Sequence, residues 1–405
     1  MRTKASAVIL AACSVACAGD SEKAPPPPAV TQSAQSVADA RLELARDPHY
    51  VLRYDDATGA GPLDAVGAVR LSNGHTVVAS AQSVRLEFYS TSGALVRTVG
   101  RRGKGPGEFG AIAALWRTGA DSLITFEGGL TRTFSIFDSS GHFARSWTSI
   151  GGDSSMRFLI PLDVLPDGRV AARTMNVITP RPVAETTRPR TSFLLFAPDW
   201  SGFQLLHHMR DAARFQGPGE LQSEVPFSPE PLVAFSRDAI WFAESDSAVV
   251  YHRQFGDSGV TSIRWQEAPR AVAAADVARE LERRIAEATL LYSNVPALRQ
   301  RVIDGAIRPL FQQMPIPGSF PLLGRLLIDS EGLLWVLSYV APADRAATAR
   351  TARVFDTRGT MLGTFVLRAG FEPTQIGRDF VLGIRTDGEG ATSVEAYALR
   401  RKGAR

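Results

Sequence analysis

Cysteine is nearly absent from this sequence. Only Cys13 and Cys17 occur among the 405 residues, and both lie close to the amino terminus. Structural disulfides and cysteine nucleophiles need cysteines within the folded part of a chain, so neither is expected in the remainder of this protein. Lysine is also scarce, at positions 4, 23, 104 and 402, and arginine therefore carries almost all of the positive charge.

Long hydrophobic runs are missing too. The apolar stretch at residues 5–16 follows Arg2 and Lys4, and it falls short of the about 20 residues that cross a bilayer. A charged start, a short apolar run and small residues at its end are typical of an export signal. The tetrapeptides LAAC and SVAC resemble the lipobox of bacterial lipoprotein signals. This predicts lipid attachment at Cys17, with Cys13 as the alternative and an ordinary cleaved signal as the explanation without lipid.

Residues 18–47 are predicted to form a flexible tether. They contain the run APPPP together with serine, glutamine and alanine, a composition that does not bury a core. We expect residues 1–17 to be the signal and residues 48–405 to be the folded body. Without Arg2 and Lys4 the basic residues fall from 45 to 43, against 41 acidic ones. This balance argues against a nucleic acid partner, because proteins that bind nucleic acids concentrate positive charge.

From residue 48 onward, the sequence favours short β-strands joined in hairpins. Apolar residues alternate on both sides of polar turns such as Asn73-Gly74 and Asp167-Gly168, where glycine supplies the positive φ of a two-residue turn. Turn positions 73, 121 and 167 lie 48 and 46 residues apart, and positions 331 and 379 lie 48 apart. A second hairpin follows most of these turns. Repeats of about 40 to 50 residues with four strands are typical of β-propellers.

Six such units are counted along the chain. The predicted fold is therefore all-β, a six-bladed β-propeller with four-stranded antiparallel blades. The strand at residues 50–56, YVLRYDD, has no partner within its own unit. Because a propeller whose ends do not meet leaves exposed sheet edges, this N-terminal strand is predicted to close the last blade.

One segment departs from the β pattern. Within residues 270–313, Val277, Leu281 and Ile285 recur at helical spacing, with glutamate and arginine on the opposite face. Asn294 is the predicted cap of a second helix. We expect a helical hairpin inserted between the fourth and fifth blades, on one face of the propeller.

The motif GPGE occurs twice, at residues 105–108 and 217–220. In the first copy, within GRRGKGPGEFG, no serine or threonine follows Lys104 and a strand comes next instead of a helix, which excludes a phosphate loop. Pro106 also lacks an amide donor. The motif is interpreted as a turn between blades. The residues expected to shape these turns are Gly105, Gly107, Glu108, Gly217, Gly219 and Glu220.

These turns, together with FDSSGHFARSW at residues 137–147, resemble bacterial six-bladed β-propellers of the NHL-repeat type. The resemblance is clearest over residues 62–150 and 320–368, and the helical segment has no part in it. It implies a propeller fold rather than a chemistry. Proteins of this type are mostly binding or scaffold modules, with a minority of lyases and hydrolases that hold a metal in the central channel.

Little in the sequence points to catalysis. The six histidines form no HExxH motif and no pair at metal-ligand spacing, and the GxSxG elbow is missing. The acidic residues Asp64 and Asp163, with Glu230 and Asp329 as weaker members, are the candidate ligands for a metal in the channel. A turn or capping role is the alternative for each of them. No cofactor is expected.

These observations favour an extracytoplasmic propeller, tethered to a membrane of the bacterial envelope through a lipid anchor. Its expected role is that of a binding scaffold for an unknown protein or small-molecule ligand, recognised by loops on one face. The alternative from another class is a metal-dependent hydrolase or lyase with its site in the central channel. A purely structural envelope protein is the third possibility.

Overall fold

In the part of the chain that the structure describes, the fold is all-β apart from one helical segment and one short 3-10 turn. The computed structural model describes residues 31–32, 42–55, 57, 61–128, 132–148, 159–174, 185–217 and 222–402. Six larger sheets follow one another along this part of the chain; the first five each contain four strands that pair antiparallel, and the sixth contains five.

The first three sheets are hairpin arrays whose strands pair in chain order. The first sheet contains Ala65–Arg70, Thr76–Ser80, Arg85–Tyr89 and Leu95–Val99. The second contains Ala114–Arg117, Leu123–Glu127, Thr133–Phe137 and Phe143–Thr148. The third contains Leu159–Val164, Val170–Thr174, Arg190–Phe196 and Phe203–Arg210.

The next three sheets repeat this order. The fourth contains Pro231–Phe235, Ala239–Glu244, Val249–Gln254 and Thr261–Arg264, with Thr31–Gln32 parallel to its last strand. The fifth contains Leu323–Ile328, Leu334–Ser338, Arg350–Phe355 and Met361–Leu367. The sixth contains Phe371–Ile376, Phe380–Thr386 and Thr392–Arg401.

The sixth sheet takes its remaining strands from the start of the chain. Tyr50–Arg53 pairs antiparallel with residues 393–396, and Leu42–Leu44 pairs with residues 399–401. Both fit because the last strand is ten residues long. The N-terminal strand therefore pairs with the last sheet, as the sequence predicts, although it ends at Arg53 and an additional short strand lies before it.

The second strand of each sheet is buried on both faces. All five residues of Thr76–Ser80 are buried. Because neighbours along a strand point to opposite faces, Val77 and Val78 join two different apolar clusters, and Trp335 and Val336 do the same in the fifth sheet. Each sheet is thus packed between two others.

Six apolar clusters connect the sheets in a defined order. They join the first sheet to the second, the second to the third, and so on to the fifth and sixth. The remaining cluster joins the sixth sheet to the first through Leu52, Ala68, Val78, Leu382 and Val394. Burying apolar area is the main favourable contribution to folding, so these contacts hold the sheets together.

Hydrogen bonds between sheets follow the same order. The Ser72 amide of the first sheet donates to the Asp121 carboxylate of the second at 3.0 Å. Between the sixth and first sheets, the Arg70 amide donates to Gln375 Oε1 at 2.5 Å, and Gln375 Nε2 donates back to the Arg70 carbonyl at 3.3 Å. Asp121 has a φ of 60°, a turn conformation that aspartate tolerates better than most residues.

The helical segment lies between the fourth and fifth sheets, where the sequence predicts an insertion. It consists of α1 (Ala274–Leu291), α2 (Pro296–Val302), a π-helical turn (Ile303–Ile307) and α3 (Arg308–Gln313). The residue that precedes α2 as its cap is Val295, not Asn294, because Pro296 occupies the first helical position, where its fixed φ suits a helix start. Among the described residues, no helix is long and apolar enough to cross a membrane.

A small three-stranded sheet, which the sequence did not predict, supports the insertion. It consists of Thr186–Thr187, Arg214–Gln216 and Gln222–Glu224. Phe215 of this sheet and Val225 after it pack against Leu310 and Met314, at the end of the insertion.

The contact between the sixth and first sheets gives a direct test. Replacing the buried Leu52 with alanine (Leu52→Ala) leaves a cavity in the cluster that joins them, and we expect the free energy of unfolding to fall by about 2–4 kcal/mol. Denaturant unfolding monitored by circular dichroism measures this. The matched control Val96→Ala removes an exposed side chain and is expected to change stability by less than about 0.5 kcal/mol. Equal effects of the two changes would show that Leu52 is not buried between sheets.

Candidate functional site

The two ends of the sheets differ in what connects the strands. Tight turns join the first and second strands at one end. The segments that lead into each first strand, and the connections between second and third strands, lie at the other end, which we call the loop face. The helical insertion belongs to the loop face, because it leads into Leu323–Ile328, the first strand of the fifth sheet.

A group of charged side chains from three sheets meets where the first strands come together. Asp163 comes from the third sheet, Arg325 from the fifth and Glu372 from the sixth. Arg325 Nη1 lies 3.7 Å from Glu372 Oε2, and Arg350 Nη1 donates to the same oxygen at 2.8 Å. Arg325 also interacts electrostatically with Asp163. We call these four residues the central crevice.

The central crevice is enclosed by protein but open to solvent. The Arg325 side chain is 41% exposed, whereas that of Arg350 is 8% exposed. Burial lowers the pKa of Arg325. Burial also raises the pKa of Asp163 to about 7, although the Val164 amide and the Arg325 guanidinium act in the opposite direction. Both groups are therefore partly shielded by the surrounding protein, and the Arg325 side chain keeps 41% of its surface exposed.

A second set of polar side chains lies nearer to the loop face. The Glu230 amide donates to Ser245 Oγ at 2.9 Å and the Tyr339 amide donates to the Leu322 carbonyl at 3.0 Å, while the Leu322 amide donates to the Ser245 carbonyl. This chain of bonds holds the two residues beside each other. Burial, followed by the Glu224 carboxylate, raises the pKa of Glu230, and the guanidiniums of Arg173 and Arg345 oppose this.

We call Glu230, Tyr339 and Arg345 the rim; Glu230 and Tyr339 are half-buried there. Burial first, and then the Glu230 carboxylate, raise the pKa of the Tyr339 hydroxyl, so it stays a neutral donor. Among the described residues, neither the Tyr339 hydroxyl nor the Glu230 carboxylate forms a hydrogen bond with another side chain. With Arg345 nearby, the rim offers an acceptor, a donor and a cation to a ligand.

The helical insertion is fixed over this side of the loop face by buried carboxylates on α1. Glu280 is 2% exposed and accepts from both Arg283 and Arg284. Arg284 then donates to Ser223 Oγ at 2.7 Å, and Arg279 donates to Asp344 of the fifth sheet at 3.0 Å. These bonds connect α1 to the small sheet and to the segment that follows the second strand of the fifth sheet.

The other acidic candidates have separate environments. Asp64 lies just before the first strand of the first sheet, with a φ of 58°, and its carbonyl accepts from the Ala81 amide. Asp329 follows its strand at the opposite end from the loop face, where it accepts from Trp335 Nε1 at 3.1 Å and Arg401 at 2.9 Å. Asp163 lies within its strand, not before it. In the described part of the chain, no group of three or more His, Cys, Asp or Glu side chains is arranged to hold a metal ion.

The first GPGE motif forms a turn between the first and second sheets. Gly107 has a φ of 74°, and Glu108 Oε2 accepts from the Gly105 amide at 2.9 Å. Glu108 also pairs with Arg101, and the Gly105 hydrogen bond followed by this pairing lowers its pKa. In the second copy, Gly217 directly follows the strand Arg214–Gln216 of the small sheet, whereas Gly219 and Glu220 lie outside the described residues. The predicted lipid-attachment residues Cys13 and Cys17 also lie outside them.

Several residues of the site were not singled out from the sequence. Arg325 occurs in the strand LGRLLI, where a charge interrupts an otherwise apolar first strand, and Glu372 occurs in the mixed strand FEPTQI. Such an interruption is a usable signal, since a charge in a central strand needs a partner. Tyr339 and Arg345 lie just beyond a strand, in a connection whose position over the crevice depends on the packing of whole sheets.

Comparison with solved structures identifies the architecture. A member of the DUF4221 family from Bacteroides vulgatus matches with a TM-score of 0.51 at 8% identity, covering 90% of this chain and 99% of that chain. The chain has a propeller-type fold. No protein-family model matches this sequence, and no curated protein matches it.

Two further propeller-type structures match at lower similarity. Regucalcin from Agrobacterium tumefaciens, a calcium-binding protein, has a TM-score of 0.40 at 12% identity, with 88% of this chain and 96% of that chain covered. Virginiamycin B lyase from Staphylococcus aureus has a TM-score of 0.38 at 10% identity, with 88% of each chain covered.

The shifted carboxyl in the central crevice predicts a pH dependence of stability. Because the pKa of Asp163 is raised from 3.8 to about 7, the folded state binds more protons than the unfolded state between these values, and stability falls as pH rises through this window. Asp163→Asn replaces the titrating carboxyl with a neutral amide and so removes this loss of stability. We expect the variant to gain at least about 1 kcal/mol over the original protein between pH 4 and pH 8.

Urea unfolding at pH 4, 6 and 8 measures the difference between the two proteins. Comparing the variant with itself across pH provides the control, because any change in packing is common to all three values. A difference that is independent of pH would show that Asp163 is not enclosed as described.

Proposed function

We propose that the six sheets are the blades of a six-bladed β-propeller and that the protein works as a binding scaffold. The order of the apolar clusters supports this, because each sheet packs against the next and the sixth packs against the first. The meeting of Asp163, Arg325 and Glu372 supports it as well. Asp163 comes from the third sheet and Arg325 from the fifth, which are not neighbours in the chain, and first strands from such sheets approach each other when they surround one axis.

The ligand site in this proposal is the central crevice with its rim. The exposure of Arg325 is the observation that carries the proposal. Its side chain is 41% exposed, and its contact with the Glu372 carboxylate is 3.7 Å long, so some of its N–H donors remain available to a ligand. Arginine binds carboxylate and phosphate groups in a planar, two-point geometry. Glu230 at the rim supplies an acceptor of the opposite charge. The site suits a small polar molecule that carries both an anionic group and an amine.

The alternative function, a hydrolase or lyase with a metal in the channel, receives less support from the residues present. Of the acidic residues that the sequence predicts as metal ligands, Asp163 lies in the central crevice, and its charged neighbour there is Arg325. A guanidinium beside a carboxylate competes with a cation for it. The Asp329 carboxylate already accepts hydrogen bonds from Trp335 and Arg401.

The proposal also places the protein outside the cytoplasm, tethered through the signal segment at residues 1–17 and the linker at residues 18–47. Support for this comes from the sequence pattern around Cys17. Within the predicted linker, Thr31–Gln32 and Leu42–Leu44 pair with strands of the fourth and sixth sheets, so these parts of it belong to the folded body.

A ligand panel tests the function. Thermal unfolding of the purified protein is measured with amino acids, dipeptides, dicarboxylates, diamines and neutral sugars. Compounds that carry both charges are expected to raise the melting temperature, because a ligand at 100 times its Kd stabilises the folded state by about 2.7 kcal/mol. Arg325→Gln is expected to abolish this stabilisation, and Glu230→Gln is expected to weaken it.

Arg237→Gln serves as the matched control, since this arginine lies in a hairpin turn at the end away from the loop face, and it is expected to behave like the unchanged protein. The same stabilisation in Arg325→Gln would contradict the assignment of the site. A divalent ion that stays bound in stoichiometric amount through dialysis would favour the metal-dependent alternative instead.

A further inference from the structure

The end of the helical insertion exposes more apolar surface than its surroundings. Leu290 and Leu291, the last two residues of α1, are 79% and 75% exposed, and Val295 before α2 is 49% exposed. Tyr292 lies between them. We call residues 289–301 the insertion tip. Scattered exposed apolar residues are common, but three within six positions form a patch that calls for a partner.

The insertion tip is also positively charged. It contains Arg299 and Arg301 and no acidic residue. Elsewhere on the insertion, arginines are paired with carboxylates, as Arg283 is with Glu287 and Arg308 is with Asp304. Within the described structure, Arg299 and Arg301 form no ion pair. The net charge of +2 is therefore left uncompensated beside the apolar patch.

This combination fits a membrane surface better than it fits a protein. Leucines enter the boundary between headgroups and acyl chains, tyrosine is favoured at headgroup level, and arginines contact lipid phosphates. Each basic side chain near an anionic bilayer contributes about 1 kcal/mol to binding. We propose that the insertion tip docks on the surface of a bilayer that contains anionic phospholipid.

The base of the insertion lowers the entropy cost of this docking. Glu280 and its two arginine partners fix α1 to the loop face, and Asp276 accepts from the Ala273 amide at the start of the helix. The tip is thus presented by helices that are already ordered. Binding does not have to overcome the conformational entropy of folding them.

A fluorescent probe at the tip tests the proposal in the full chain. Cys13 and Cys17 are replaced with serine, a single cysteine is introduced as Leu291→Cys, and it is labelled with an environment-sensitive fluorophore. We expect its emission to shift to shorter wavelength with vesicles of equal phosphatidylglycerol and phosphatidylcholine. No shift is expected with phosphatidylcholine alone, and Arg299→Gln with Arg301→Gln should lower apparent affinity about tenfold or more.

Val366→Cys provides the matched control, because Val366 is 73% exposed on the last strand of the fifth sheet. The label at this position is expected to show no shift, which separates docking of the tip from general attachment through the N-terminal segment. Equal shifts at positions 291 and 366, or no shift at position 291 with anionic vesicles, would overturn the proposal. So would a shift without vesicles that grows with protein concentration, since it would show that a second copy covers the tip.

Discussion

The whole structure depends on covering two apolar faces of every sheet at once. A sheet in the middle of a stack has neighbours on both sides, but a row of sheets leaves its first and last faces exposed to water. Here the first and last sheets cover each other, and Leu52 lies in the cluster between them. Exposing that interface would cost free energy in proportion to its apolar area, so the N-terminal strand contributes to the stability of the chain far from its own position.

This packing also explains the position of the candidate site. When the sheets pack face to face, their first strands come together, and any charge on these strands must find a partner there. Arg325, Glu372 and Arg350 satisfy one another in part, while Asp163 bears the cost of burial as a raised pKa. The crevice is therefore the place where the fold tolerates charge, and a polar ligand would compensate groups that the protein leaves partly unsatisfied.

The sequence predicted the repeating hairpins well, because local chemistry determines them. Asn73-Gly74 and Asp167-Gly168 specify turns by themselves, and alternating apolar residues specify strands buried on one or both faces. The helical insertion was also readable from its 3.6-residue period. The small sheet with Phe215 was missed, since its strands have two or three residues and derive their stability from α3 rather than from their own pattern.

The site was less predictable than the fold. A carboxylate at a strand end looks the same in a sequence whether it caps a turn, as Asp329 does, or lies in a crevice, as Asp163 does. Distinguishing the two requires knowing which strands surround it. Arg325 and Tyr339 acquire their significance from residues more than one hundred positions away, such as Asp163 and Glu230, and no local pattern encodes that distance.

The pairing of the chain start with the last sheet is the feature on which the arrangement depends most. Cysteines introduced as Arg53→Cys and Ser393→Cys face each other in this pairing, in a protein whose Cys13 and Cys17 are replaced with serine. Mass spectrometry after mild oxidation of the folded protein should find a disulfide between positions 53 and 393 within one chain. Free thiols at both positions, or disulfides only between chains, would contradict the pairing of Tyr50–Arg53 with the last strand.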